Sequence, residues 1–238
     1  MNYDGKTAIV TGSSRGLGKE LVFQYANAGA NVVVTARSKE KIDLISKKIN
    51  DEFAGSALAV TADISKEEDV KSLFEKTINN FGQLDILINN AAAHKALSVV
   101  DTDIDTWEKT LAVNLTGTFL ASKEAAKIMK NNKSGTIINI SSTAADNYFP
   151  GFGAYSATKA GIIGFSNVLA EEMRDYNVNV ISIKLGLVNT EYTRSRIKNG
   201  NPEEWIQTEE ASNLILYLTS NSAKIITGTA IEVNGKRK

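Results

Sequence analysis

Several residue types that carry chemistry in other proteins are scarce in this chain of 238 residues. It contains no cysteine, one histidine and two prolines. The absence of cysteine excludes disulfide bonds and thiolate metal ligands, and it is typical of proteins that work in a reducing cytosol. A single histidine, His94, gives no sign of a catalytic zinc site. We therefore expect no resident metal and a cytoplasmic location.

The charge balance and the lengths of the apolar runs exclude further classes. Lys and Arg number 27 and Asp and Glu also number 27, so the chain lacks the basic excess of nucleic-acid binders. The apolar runs are only as long as strands, far below the roughly 20 residues of a membrane helix. The first residues lack the basic region and apolar run of a signal peptide. We expect no nucleic-acid partner and no membrane span.

Short apolar runs alternate with segments of helical spacing along the whole chain. The predicted strands are Thr7–Val10, Val32–Thr35, Ala57–Val60, Ile86–Ile88, Thr136–Ile140, Val178–Ile183 and Ala230–Val233. The longer predicted helices are Trp107–Met129, Ala154–Met173 and Glu209–Leu218. Such strands are typical of parallel sheets that are buried on both faces. The alternation predicts a single α/β domain over residues 1–238, a Rossmann-type doubly wound parallel sheet of about seven strands with helices on both faces.

One polar segment, residues 191–208, interrupts this alternation before the final helix. Long loops in compact domains usually have a function. We therefore predict that residues 191–208 form a substrate loop.

A glycine-rich segment follows the first strand directly. Residues 11–18 read Thr-Gly-Ser-Ser-Arg-Gly-Leu-Gly, and a helix is predicted after them. Glycines allow a tight turn and let a pyrophosphate approach the backbone, while the helix N-terminus offers free N–H groups. Glycines alone are weak evidence, but their place between a strand and a helix indicates a dinucleotide site.

The residues after the second strand indicate which dinucleotide binds. Enzymes that use NAD usually carry an acidic residue about 20 positions beyond the glycines. Here Ala36 occupies that position, Arg37 follows it, and Arg15 lies within the glycine segment. Arginine holds phosphate through paired N–H donors, so this pattern favours NADP(H). The alternative is that both arginines are only solvated surface residues.

Tyr155 and Lys159 lie four residues apart on a predicted helix, which places them on one face. An ammonium group and an oxidised nicotinamide would stabilise a phenolate and lower the pKa of Tyr155. Ser142 ends the fifth strand, at the edge where open α/β sheets bind ligands, and its hydroxyl could polarise a carbonyl. Asn114 is a polar amide within an apolar helical segment and needs hydrogen-bond partners.

Over nearly its full length the chain resembles the short-chain dehydrogenase/reductase family, and 3-oxoacyl-acyl-carrier-protein reductases within it. Besides the glycine segment, the resemblance rests on Asn89-Asn90-Ala91 and on a tetrad in the family's order and spacing. It implies that the tetrad is catalytic: Asn114, Ser142, Tyr155 and Lys159. It implies that the cofactor is bound by Gly12, Ser14, Arg15, Gly16, Leu17, Gly18, Arg37, Asp63, Ile64, Asn90, Tyr155, Lys159, Val188 and Thr190.

The resemblance also implies a mechanism. Hydride passes between the nicotinamide and the substrate carbon while Tyr155 gives or takes the hydroxyl proton. Ser142 holds the substrate oxygen, Lys159 binds the nicotinamide ribose and lowers the pKa of Tyr155, and Asn114 holds a water that links Lys159 to solvent. Family members are commonly homodimers or homotetramers. Apolar residues available for such an interface are Phe119, Ile128, Ile162 and Phe165.

The chain departs from the family pattern at three places that bear on the site. Ala92 replaces a glycine after the two asparagines, and Leu185 replaces a proline after the sixth strand. The segment 191–208 is several residues shorter than the usual lid, which predicts a more open pocket. His94 follows the fourth strand; we expect it to face solvent, with substrate contact as the alternative.

These observations leave the substrate open. It is either a small carbonyl compound or a 3-oxoacyl group on an acidic carrier protein, which would need basic residues near the pocket mouth. Candidates for that contact are Lys133, Arg194, Arg196 and Lys198. Two other functions remain: a non-catalytic protein that senses NADP(H), and a sugar-nucleotide epimerase or dehydratase. The retained tetrad argues against the first and the chain length against the second.

Overall fold

A parallel sheet of seven strands forms the centre of the computed structural model, which describes residues 1–53 and 56–235. The strands are β1 (Thr7–Thr11), β2 (Asn31–Ala36), β3 (Ala57–Thr61), β4 (Ile86–Asn89), β5 (Gly135–Ser142), β6 (Val178–Leu185) and β9 (Thr229–Val233). Two further strands, β7 (Val188–Asn189) and β8 (Ile206–Gln207), pair in a separate parallel ribbon. All seven predicted strands are confirmed, and each predicted boundary lies within two residues of the observed one.

The order of the strands creates a crevice at one edge of the sheet. The order is β3-β2-β1-β4-β5-β6-β9, so the chain winds outward in opposite directions from β1 and β4. Ile9 in β1 lies opposite Val33 on one side and Leu87 on the other. Ligands of open α/β sheets bind where the winding direction changes, beyond the carboxyl ends of the strands. The fold therefore directs attention to the segments that follow β1, β2, β4 and β5.

Helices cover both faces of the sheet and enclose two apolar cores. They are α1 (Gly16–Asn27), α2 (Lys39–Glu52), α3 (Glu67–Phe81), α4 (Ile104–Leu111), α5 (Gly117–Asn132), α6 (Gly153–Met173), α7 (Glu191–Arg196) and α8 (Thr208–Thr219). One core joins α1, α2 and α8 to the sheet, and the other joins α3, α5 and α6. Val10 of β1 enters the first core and its neighbour Ile9 the second. This alternation along a strand explains why the strands are apolar throughout.

Two segments differ in detail from the expectation. The expected helix Trp107–Met129 is present within a helical run from Ile104 to Asn132, but a π-helical turn at Ala112–Thr116 lies between α4 and α5. Residues 191–208 are not an irregular loop, since they contain α7 and β8. The side chain of Trp205 within this segment is buried. No helix within residues 1–53 and 56–235 combines the length and apolar character needed to cross a bilayer.

The interface candidates divide into accessible and buried side chains. Phe119 is 43% exposed, and its ring lies edge-on to that of Phe165 at 6.0 Å between centroids. Ile162 is only 1% exposed because it packs inside the protomer. The prediction that Ile162 is available for subunit contact was therefore wrong.

Candidate active site

The turn between β1 and α1 is held tightly against the segment after β4. Gly12 has φ +68°, and a Cβ there would lie 2.8 Å from Ala91 Cα. At Gly18 a Cβ would lie 2.5 Å from Asn90 Nδ2 and 2.6 Å from the carbonyl oxygen of Gly12. Such distances are shorter than side chains tolerate, so space requires glycine at both positions, and the positive φ requires it also at Gly12.

Hydrogen bonds fix the same turn from its other side. The hydroxyl of Thr11 accepts from the backbone N–H groups of Asn90 at 3.0 Å and Ala91 at 3.1 Å. The side-chain amide of Asn90 donates to the carbonyl oxygen of Thr11 at 2.9 Å. Asn90, which was predicted to bind the cofactor, therefore shapes the loop in this structure.

The N-terminus of α1 opens toward the crevice. No side chain caps it, and Arg15 occupies the position just before the first helical residue. Leu17 points into the core and is 7% exposed, so only its backbone can serve a ligand. Gly16 faces Thr190, whose Cγ2 would lie 3.3 Å from a Cβ at Gly16. Free N–H groups at this end of a helix attract an anion.

The segment after β2 carries Arg37, which was predicted to select the dinucleotide, and the segment after β3 carries Asp63, which was predicted to bind the cofactor. β2 ends at Ala36, and Arg37 is exposed immediately after it. Burial alone would raise the pKa of Asp63, but hydrogen bonds from Ser65 and the charges of Arg37 and Lys66 lower it overall. Ile64 is buried against Gly117 of α5. Arg37 therefore lies near Asp63 at the outer end of the crevice.

Tyr155 and Lys159 lie one turn apart on α6, as predicted, and the structure brings them together. The Nζ of Lys159 lies 5.4 Å from the centre of the Tyr155 ring. Lys159 is 2% exposed and donates to the carbonyl oxygen of Ile140 at 2.7 Å. In return, the Ser141 hydroxyl donates to the carbonyl oxygen of Lys159 at 2.8 Å. These two bonds fix α6 against the end of β5.

Burial shifts both titrating groups toward their neutral forms. It lowers the pKa of Lys159 to about 8 and raises the pKa of Tyr155 to about 12. The Ser142 side chain works in the opposite direction and lowers the pKa of Tyr155. Ser142 is the last residue of β5, and its Oγ accepts from the N–H of Ala144 at 3.1 Å. Without a cofactor, the phenol therefore keeps its proton at neutral pH.

Asn114 lies in the π-helical turn and is fully buried. Its Oδ1 accepts from the N–H of Ala93 at 2.7 Å, and its Nδ2 donates to the carbonyl oxygen of Ala93 at 2.9 Å and to the hydroxyl of Thr158 at 3.1 Å. Thr158 donates to the carbonyl oxygen of Tyr155 at 2.7 Å. Asn114 thus connects the segment after β4 with the helix that carries Tyr155. A π-helical turn contains one residue more than an α-helical turn, and such turns are frequent at functional sites.

Comparisons with known proteins agree with this geometry. The family model described as short chain dehydrogenase matches residues 6–201. The chain belongs to this family. It is 35% identical to a 3-oxoacyl-acyl-carrier-protein reductase of Aquifex aeolicus, over 99% of this chain and 98% of that one. It is also 35% identical to a trans-4-hydroxycyclohexanecarboxylate dehydrogenase of Sinomonas cyclohexanicum, over 97% of this chain and 92% of that one.

A solved structure of a short-chain type dehydrogenase/reductase from Mycobacterium ulcerans is similar throughout. It superposes with a TM-score of 0.94 at 25% identity and covers 99% of this chain and 90% of that one. The predicted family and the Rossmann-type fold are confirmed. The protein is accordingly a family oxidoreductase that acts on CH–OH groups with a nicotinamide cofactor.

Sequence reasoning missed several side chains beside Tyr155 in this short-chain dehydrogenase. The expectation that His94 faces solvent was wrong, because its ring is half-buried, 4.3 Å from that of Phe152 and 4.9 Å from that of Tyr155. Tyr192 of α7 is close enough to raise the pKa of Tyr155. The charge of Arg196, also on α7, helps to lower the pKa of His94. The only signal in the sequence was the position of these residues after β4 and β7.

The basic residues proposed for the pocket mouth do not share one location. Arg196 lies beside the site through its contact with Tyr192, and Arg194 is exposed on the same short helix. Lys133 lies at the end of α5, just before β5 begins, whereas Ser142 ends that strand. An eight-residue strand separates the two ends by roughly 25 Å. The expectation that Lys133 serves the mouth was therefore wrong.

Proposed function

We propose that this protein transfers hydride between NADP(H) and a carbonyl or secondary alcohol substrate, with Tyr155 as the general acid and base. The observation that supports this most is the buried pair of Tyr155 and Lys159 beside Ser142, at the same sheet edge as the glycine turn. An ammonium group, a phenol and a hydroxyl in this arrangement suit proton transfer to a polarised carbonyl oxygen.

Each tetrad residue has a separate task. Ser142 donates a hydrogen bond to the substrate oxygen and orients the carbonyl. Tyr155 donates its phenolic proton to that oxygen in reduction and accepts a proton in oxidation. Lys159 lowers the pKa of Tyr155 through its positive charge and hydrogen-bonds the nicotinamide ribose. The cofactor, when bound, supplies the hydride to the carbonyl carbon.

Asn114 positions these groups in this scheme. Both of its amide N–H groups are in use, one with Ala93 and one with Thr158. It therefore holds α6, and Tyr155 with it, at a fixed distance from the segment after β4. The family resemblance assigns a water to Asn114. Because both side-chain N–H groups are in use, this water would donate a hydrogen bond to an oxygen of Asn114, either Oδ1 or the backbone carbonyl.

The residues around the crevice fit NADP(H). The uncapped N-terminus of α1 and the turn at Gly12 and Ser14 offer backbone N–H groups to a pyrophosphate. Arg15 and Arg37 follow neighbouring strands, β1 and β2, and neither forms a salt bridge within the described residues. Two arginines whose N–H donors are not engaged in salt bridges suit a 2′-phosphate. Asp63 and Ile64 are assigned to the adenine end, and Val188 and Thr190 to the nicotinamide end.

The substrate class follows from the family and from the site together. The relatives are named for a 3-oxoacyl reductase and for a dehydrogenase of a cyclic hydroxy acid, so both act at a carbonyl or secondary alcohol. We assign residues 191–208 to the substrate side, because α7 brings Tyr192 close to Tyr155. A small or carrier-bound carbonyl compound is compatible with this assignment.

We also propose that the protein forms a homodimer or a homotetramer. Phe119 and Phe165 form an accessible aromatic pair on α5 and α6, and apolar surface of this kind favours subunit contact. Size-exclusion chromatography with light scattering should give two or four times 25.7 kDa. A mass of one subunit at micromolar concentration would contradict this part.

The direct test measures NADPH oxidation with a panel of ketones and oxo acids. The wild type should oxidise NADPH with some of them, and Tyr155→Phe should lose at least a thousandfold in kcat because general acid catalysis and its positioning are removed together. Tyr148→Phe is the matched control, since Tyr148 is 94% exposed and lies seven residues before Tyr155. Turnover that survives in Tyr155→Phe would disprove the role of Tyr155. NADPH binding by the wild type without any turnover would favour the sensor alternative.

A further inference from the structure

A tyrosine on the short helix α7, Tyr192, contacts two arginines at the mouth of the site. The guanidinium carbon of Arg15 lies 5.2 Å from the centre of the Tyr192 ring, and that of Arg196 lies 5.5 Å from it. Stacking on an aromatic ring orients the planar guanidinium without using its N–H donors. Tyr192 therefore holds two sets of unused donors near Tyr155.

Neither arginine has an acidic partner in the part of the chain that the structure describes. The salt bridges there involve other cations, among them Lys184 with Asp146 and Glu232. In the proposed function, Arg15 has a task at the cofactor phosphate. Arg196 contacts the same ring and has no task in the proposed reaction.

His94 supplies a second group without a partner. Its ring packs against the aromatic rings of Phe152 and Tyr155, yet neither ring nitrogen makes a hydrogen bond within the described residues. Burial, followed by the charge of Arg196, lowers the pKa of His94, so the imidazole is neutral at pH 7 and has one N–H to donate. A half-buried polar ring with unused capacity beside the reacting phenol suits a polar part of the substrate.

We propose that Arg196 and His94 form a subsite for a carboxylate on the substrate, so that the enzyme acts on oxo acids and the corresponding hydroxy acids. This inference rests on the proposed function, because it places the carboxylate relative to a carbonyl at Tyr155. The guanidinium can pair with both carboxylate oxygens, and the neutral imidazole can donate to one of them. Since α7 carries Arg196, the short segment 191–208 acts in specificity.

A carboxylate fits this subsite better than the uncharged thioester of a carrier-bound acyl group. Two donors that lack protein partners are satisfied by an anion, whereas a thioester offers a weakly accepting oxygen and no charge. Glu191 lies at the start of the same helix, five residues before Arg196, and would repel an anion only from that far end. The subsite is therefore positive on the side of Arg196, whose charge reaches His94.

The first test compares substrates that differ only in this charge. A panel of 3-, 4- and 5-oxo acids, each paired with its methyl ester, is reduced with NADPH by the wild type and by Arg196→Gln. We expect Arg196→Gln to raise KM for the acids about tenfold to a hundredfold, the effect of losing a charge-assisted bond, and to leave the esters and NADPH unchanged. Arg196→Lys should recover part of the loss. Arg194→Gln, on the same helix, is the matched control and should change neither.

The second test does not depend on turnover. The NADPH complex is titrated calorimetrically with cyclohexanecarboxylate and with cyclohexanecarboxamide, using wild type, Arg196→Gln and His94→Phe. Binding of the carboxylate alone, weakened in both variants, supports the subsite even where no ketone is reduced. Equal changes for acids and esters, or equal binding of carboxylate and carboxamide, would overturn the subsite while leaving the role of Tyr155 intact. Absence of turnover with every ketone in the wild type would contradict the proposed function, and the calorimetric result would still decide the subsite.

Discussion

The two ends of the crevice are constructed differently. At the cofactor end, backbone and buried side chains fill the space around Gly12 and Gly18, and the bonds of Thr11 and Asn90 lock the turn. At the substrate end, Tyr192 and Arg196 are exposed on a six-residue helix, and the contact between their side chains is a cation–ring contact. The first arrangement tolerates little change, and the second can be altered one side chain at a time. This explains how one family keeps a cofactor while substrates vary.

The largest effect should come from filling the space at the cofactor end. Gly18→Ala places a methyl group where Asn90 Nδ2 and the Gly12 carbonyl already lie, so the turn must move. We expect a loss of about 2–3 kcal/mol in the free energy of unfolding and a loss of NADPH affinity of more than a hundredfold. Urea denaturation and fluorescence titration with NADPH would measure both.

The control for this substitution is another helical glycine. Nothing lies within 4 Å of a Cβ at Gly164 in α6. Gly164→Ala should therefore stabilise the fold by about 0.5–1 kcal/mol through helix propensity and leave NADPH binding unchanged. If both alanine variants behaved alike, the close contacts at Gly18 would not be what makes the cofactor end intolerant of change.

A smaller effect is expected from the charges that select the dinucleotide. Arg37→Ala should weaken NADPH binding about tenfold to a hundredfold, because a charge-assisted bond to phosphate is lost, and should leave NADH binding nearly unchanged. Lys39→Ala, two residues further on and paired with Asp43, is the control. Equal weakening of both dinucleotides in Arg37→Ala would show that Arg37 does not read the 2′-phosphate.

The smallest effect concerns the cost of burying Lys159. Its pKa is lowered to about 8 in the folded protein, below the 10.5 of an ordinary lysine, so the unfolded chain binds more protons between these values. Stability of the wild type should therefore rise by about 1–2 kcal/mol from pH 8 to pH 10, relative to Lys159→Met. Urea titrations at pH 7, 8, 9 and 10 would measure the difference. A difference independent of pH would contradict the lowered pKa.

The sequence predicted the sheet well because each strand is a continuous apolar run between glycine or polar turns. Ser142 was placed correctly, since it directly follows such a run, and the four-residue spacing placed Tyr155 and Lys159 on one helix face. Periodicity did not reveal the π-helical turn at Asn114, because one extra residue in a turn leaves the apolar pattern of the flanking helices intact.

The substrate end was harder to predict because it depends on contacts between distant segments. His94 follows β4 and Tyr192 follows β7, and nothing in their local sequence indicates that both approach Tyr155. The segment 191–208 reads as a polar loop, yet Trp205 is buried and β8 pairs with β7. Tertiary contacts of this kind have no period in the sequence, so only coordinates reveal them. The cofactor end, in contrast, is local to one strand, turn and helix.

The central claim is that a bound oxidised nicotinamide, together with the neighbouring Lys159, lowers the pKa of Tyr155, which burial raises to about 12 in the protein alone. Phenolate formation can be followed by ultraviolet difference absorbance from pH 6 to pH 10. Subtracting the absorbance of Tyr155→Phe removes the contribution of the other six of the seven tyrosines. We predict that with saturating NADP⁺ the wild type shows one phenol that ionises within this range, and that Tyr155→Phe and Lys159→Met do not. Coincident titration curves for the wild type and Tyr155→Phe would contradict the account.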